Sequence, residues 1–69
     1  MTKLRLTRLE RGLNQSTVEK LSMGAVRQHR LSEIERGMPT KPAEAMALSA
    51  VFGLPISELG ITLAEGAGS

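Results

Sequence analysis

Apolar residues recur along this chain at steps of three to five among charged and polar neighbours: Leu4, Leu9 and Leu13, then Val18 and Leu21, then Leu31 and Ile34. That rhythm belongs to short helices with one inward face. Gly12, Gly24, Gly37, Gly53 and Gly60 each close such a segment, where a helix end accepts a left-handed residue. No segment alternates for long enough to read as a strand, so the spacing predicts an all-α fold of five short helices. The first runs from about Thr2 to Arg11, with Leu4 and Thr7 or Arg8 on its inner face and Leu9 and Leu13 completing its contacts. Asn14 caps the second, which begins at Gln15, carries Val18, Leu21 and Ser22 at helical spacing and ends near Met23-Gly24. The third, roughly Gln28 to Arg36, turns Leu31 and Ile34 inward and leaves Gln28, His29, Ser32 and Glu33 to point elsewhere.

Two prolines three apart make Gly37 to Pro42 a loop. Pro42 then opens the fourth helix, whose Ala45, Met46, Leu48, Ser49 and Phe52 form an inward stripe of small and medium side chains. Pro55 opens a fifth helix of one or two turns, defined by Ile56 and Leu59. Residues 1–60 thus form one domain, and residues 61–69 a flexible tail, expected to fray, or a dimerisation extension.

Composition narrows the possibilities. A chain of 69 residues is near the lower limit at which a core stabilises itself. With no cysteine, tryptophan or tyrosine and a single phenylalanine, that core is aliphatic and neither a disulfide nor a thiolate metal site supports it. The hydrophobic fraction of 41% excludes disorder, and the apolar stretches are too short to cross a bilayer. The first residues, MTKLRLTRLERG, carry charge throughout and lack an apolar signal region, so the cytoplasm is the expected compartment. One histidine, scattered carboxylates and no expected room for a cleft of roughly 300 Å³ argue against an enzyme. No cofactor, metal or small-molecule ligand is expected.

The net charge of +2 is unevenly distributed. All nine basic residues lie in residues 1–41 beside four acids, whereas residues 42–69 hold three acids and no base. A basic front half suits a polyanion, because cations that neutralise phosphates release counterions. The plainer reading of the same charges is a solvated surface.

Three blocks then carry a resemblance. GLNQ (Gly12 to Gln15), LSEIERG (Leu31 to Gly37) and FGLPISEL (Phe52 to Leu59) stand in the order and approximate spacing of the helix-turn-helix domains typified by lambdoid phage repressors and Cro. The chain resembles that family over about residues 2–60. Two departures are visible: the stretch from Gln15 to Gly37 is two residues longer than the family pattern, the extra residues falling in helix two or the turn, and the small residue expected in mid helix two either appears as Glu19 or is displaced.

The resemblance implies a compact, repressor-like domain that binds double-stranded DNA, with the third helix in the major groove. Base-reading candidates are Arg27, Gln28, His29, Ser32 and Glu33. A Gln28 amide matches adenine N7 and N6, an arginine matches guanine O6 and N7, and Glu33 can accept from cytosine N4. Gln15, Arg30, Thr40 and Lys41 are candidates for the DNA backbone, with Gln15 also bracing Gln28; Arg8 and Glu35 are assigned to a structural ion pair. Arg5, Arg36 and Lys3 are read as contributing field more than contacts. Leu54, Ile56, Leu59, Ile61 and Leu63 are the expected homodimer surface. The implied function is a Cro-like transcriptional repressor of phage or other mobile-element origin, dimeric on a palindromic operator. The competing reading is an antitoxin-like or adaptor module that uses the same fold to bind a protein.

Overall fold

In the computed structural model, which describes residues 2–64, four α-helices and one 3₁₀ turn follow in the order α1 (Lys3–Glu10), α2 (Gln15–Leu21), α3 (Gln28–Glu35), α4 (Pro42–Phe52) and Ile56–Glu58. The fifth expected helix is therefore a single 3₁₀ turn, since Pro55 and Gly60 leave too few residues between them for a second turn. Residues 65–69 of the expected tail lie outside the described residues.

Local chemistry sets the helix boundaries. Thr2 Oγ1 accepts the Arg5 N–H at the start of α1, and Asn14 Oδ1 accepts the Thr17 N–H at 2.8 Å at the start of α2. Pro42 occupies the first turn of α4, where Glu44 reaches back to accept the Lys41 N–H at 2.9 Å. Each helix then buries one face. Leu4 from α1, Val18 from α2, Leu31 and Ile34 from α3, and Leu48 and Phe52 from α4 meet Val26 and Leu59 in one core, aliphatic except for the Phe52 ring. Every such side chain stabilises the fold by about 1.5–3 kcal/mol on burial, enough together to offset much of the ordering of so short a chain.

The core differs from the sequence reading at three places. Leu9, Leu21 and Met46 are each about half or more exposed, while Leu4 in α1, Val18 in α2 and Leu48 in α4 are the ones buried in the core. In α4 the buried set is Ala45, Leu48 and Phe52, at steps of three and four. The segment after Gly60 is paired at its start. Thr40 N–H donates to the Thr62 carbonyl at 2.6 Å and Ala64 N–H to the Thr40 carbonyl at 2.8 Å, an isolated parallel bridge between Thr40 and Leu63.

Four of the nine basic side chains are held by the fold itself. Lys3 meets Glu58 at 3.2 Å, Arg8 meets Glu35, and Arg30 meets Glu44. Arg11 donates to the Phe52 carbonyl at the end of α4 and stands 5.6 Å from the centre of the Phe52 ring. Arg5, Lys20, Arg27, Arg36 and Lys41 remain exposed and make no ion pair among the described residues.

Candidate nucleic-acid interface

The Glu35 carboxylate ties three helices at the base of the site. Its Oε2 accepts from Arg8 Nε at 2.6 Å, and its Oε1 accepts from Arg8 Nη2 at 3.1 Å and from Gln15 Nε2 at 3.3 Å. Arg8 also donates to the Leu13 carbonyl at 2.9 Å, which secures the turn that leads into α2. Both members of the pair are buried, so the charges compensate each other in a low-dielectric place where neither could stand alone.

Above this knot lies an open groove of about 510 Å³ between α1, the start of α2 and the outer face of α3. Arg5, Gln15, Gln28, Ser32 and Arg36 line it. The sequence reading left no room for a cleft of this size; the groove lies where residues of α1, the start of α2 and α3 come together around Glu35. It is polar, and two exposed guanidinium groups border it, which suits an anionic polymer better than a small apolar ligand.

The start of α3 borders the same groove. Arg27 is the N-cap and provides no side-chain cap; instead Glu19, from α2, accepts the Gln28 N–H at 2.7 Å. The connection from α2 to α3, Ser22 to Arg27, passes through Met23 at φ +57° and Gly24 at φ +79°. The chain thus leaves α2 through two successive left-handed residues. Ser22 Oγ braces that exit by donating to the Glu19 carbonyl at 2.8 Å and accepting the Val26 N–H at 3.2 Å.

Residues 4–59 match the helix-turn-helix family. The chain belongs to the Cro/repressor-type helix-turn-helix family. No curated protein and no solved structure gave a match. The family is one of DNA-binding transcriptional regulators, and its two motif helices are here α2 and α3, which pack against each other across the lengthened turn. No helix among the described residues is long and apolar enough to cross a membrane.

Within this helix-turn-helix, Arg27 at the N-cap and Gln28 and His29 on the first turn of α3 stand exposed, and Ser32 lies one turn on, half-buried at the groove. Glu33, partly exposed, accepts from Arg30 Nη1 at 3.5 Å on the same helix. Gln15 and Gln28 share the groove, but the Gln15 amide donates to Glu35 and makes no bond to Gln28 among the described residues. That corrects the expected brace: the buried carboxylate offers a stronger acceptor than a neutral amide.

Two expected DNA-backbone residues are used otherwise. Arg30 donates from Nε and Nη2 to both oxygens of Glu44, at 2.8 and 3.0 Å, and from Nη2 to the Pro39 carbonyl, so its guanidinium joins α3 to α4. Thr40 is fully buried with its Oγ1 unsatisfied, its backbone held by Thr62 and Ala64. Lys41 beside it is exposed. The expected dimer surface is also revised: Leu59 is fully buried in the core, Leu54, Ile56 and Ile61 are half-buried, and only Leu63 is half exposed. Sequence reasoning missed Arg5 and Arg36 as groove residues, because the divergence of α1 from α3 that brings them to one cleft has no signature in helical periodicity.

Proposed function

We propose that the protein is a Cro-like transcriptional repressor that binds a palindromic operator in double-stranded DNA as a homodimer, in the cytoplasm. The observation that carries the reading is the convergence of Arg5, Arg36, Gln15, Gln28 and Ser32 on one polar groove beside the exposed first turn of α3. In this reading α3 enters the major groove, Arg27, Gln28, His29 and Ser32 meet base edges, and Arg5, Gln15, Arg36 and Lys41 hold phosphates. Repression needs only occupancy of a promoter-overlapping site, with no chemistry at the groove.

A single short reading helix carries too few base contacts for high specificity. Two copies on half-sites about 34 Å apart double them, with Leu63 and the half-buried Leu54, Ile56 and Ile61 available for self-association. The test is selection of bound duplexes from a random pool. Recovery of a symmetric motif with half-sites about one helical turn apart supports the reading. Recovery of no motif, with binding that is insensitive to salt, refutes it in favour of a protein-interaction module.

A further inference from the structure

Glu19 carries a charge from α2 to the start of the reading helix. Its side chain is half-buried and reaches across the motif, so that Oε1 caps the Gln28 N–H at 2.7 Å. The reading helix has no cap of its own, because Arg27 cannot accept a hydrogen bond and its first turn contains no acid. The rest of the turn folds back on the same residue: the Glu19 carbonyl accepts from Gly24 N–H at 3.0 Å and from Ser22 Oγ at 2.8 Å. Val26, fully buried, anchors the far side. One residue of α2 therefore fixes both the position and the local charge of the end of α3 that leads toward DNA.

The first amides of a helix carry partial positive charge and attract anions without regard to sequence. Here an internal carboxylate already occupies the first of them, the Gln28 N–H. A phosphate brought to the start of α3 meets that negative charge and one fewer free N–H donor, whereas a base edge there meets the side chains of Arg27, Gln28 and His29. We propose that Glu19 is a specificity-determining positioning residue for DNA reading: it penalises sequence-independent seating of phosphate at the α3 N-terminus and fixes α3 for side-chain readout. The inference rests on the DNA-binding function proposed above.

The experiment compares wild type, Glu19→Gln and Glu19→Ala in salt titrations against a duplex selected from a random pool and a scrambled duplex of equal length, with thermal melts alongside. Glu19→Gln keeps an acceptor for the Gln28 N–H and removes the charge. It is expected to melt within about 4 °C of wild type, to bind the scrambled duplex about threefold more tightly, and to lose about fivefold in preference for the selected one. Glu19→Ala is expected to lose more of that preference because α3 is then uncapped. If Glu19→Gln matches wild type on both duplexes, or if both variants weaken the two duplexes equally in step with lost thermal stability, Glu19 is only a helix cap and the inference falls. If wild type binds neither duplex at any salt concentration, the DNA-binding reading fails and the inference with it.

Discussion

Glu44 grips the Arg30 guanidinium with both carboxylate oxygens, Oε2 at 2.8 Å from Nε and Oε1 at 3.0 Å from Nη2, while the same Oε1 accepts the Lys41 N–H. One carboxylate thus joins the reading helix to α4 and caps α4. The Arg30 hydrogen bonds hold Glu44 below the ordinary glutamate range, assisted by the Lys41 N–H and the nearby positive charges and opposed by burial. A carboxyl held low in the folded state contributes stability that is complete above the ordinary range, about pH 4.3, and is lost as pH falls through the lowered folded value. Urea unfolding followed down to pH 3 is therefore expected to show a steeper loss for wild type than for Glu44→Gln, which starts less stable at neutral pH. Parallel curves would contradict the assignment.

The Arg8–Glu35 pair predicts a larger effect. Arg8→Met leaves the Glu35 carboxylate buried with Gln15 as its remaining side-chain partner, a change expected to cost about 3–5 kcal/mol. That is comparable to the whole stability of so small a domain. Arg8→Met combined with Glu35→Leu removes both charges and is expected to recover most of the loss in denaturant unfolding.

How far these features were legible in the sequence depends on their range. Caps and breakers act over a few residues, so Asn14, Pro42 and the glycines placed four helices correctly. The Arg8 and Glu35 positions came through resemblance to a family, not through periodicity. Arg30 illustrates what local pattern omits: it looks like a free cation on an outer helix face, and only the return of α4 brings Glu44 to it. Leu59 failed in the opposite direction, since an apolar residue in an acidic segment reads equally as core or as contact surface until the chain path closes over it. Thr40 read as a loop contact because the parallel pairing with Leu63 joins residues that no helical rhythm relates.

Base reading and backbone holding are separable by mutation. Gln28→Ala and His29→Ala are expected to remove about 1–3 kcal/mol of discrimination each between a selected and a random duplex. Lys41→Ala is expected to weaken both duplexes alike. A mobility-shift comparison decides it; equal loss on every sequence for all three variants would refute the base-reading role of α3.

The groove cations have their own signature. Arg5→Ala and Arg36→Ala are each expected to reduce the slope of log affinity against log salt by about one unit, with little change in the preferred sequence. Retention of the wild-type slope in both would move the phosphate contacts away from the groove between α1 and α3.

Backbone strain gives a stability prediction that no side-chain contact complicates. Met23 holds φ +57° with its side chain 93% exposed, so Met23→Gly relieves the left-handed cost without losing packing and is expected to stabilise by about 0.5–1 kcal/mol. Gly60→Ala is expected to do the reverse. Its φ is +65°, and an added Cβ would stand 2.6 Å from Lys3 Cβ, so α1 would have to shift. Thermal melts of the two variants should move in opposite directions.

The bridge from Thr40 to Leu63 also bears on the order in which the molecule assembles. Helices form from neighbours in the chain and need little loop closure, whereas this pairing closes a ring of roughly twenty residues around α4. It is therefore expected to form on the late side of the folding barrier. Weakening it with Ala64→Pro, which removes the N–H that donates to the Thr40 carbonyl, is expected to accelerate unfolding while leaving the refolding rate nearly unchanged, so the bridge acts as a latch on the folded protein's lifetime.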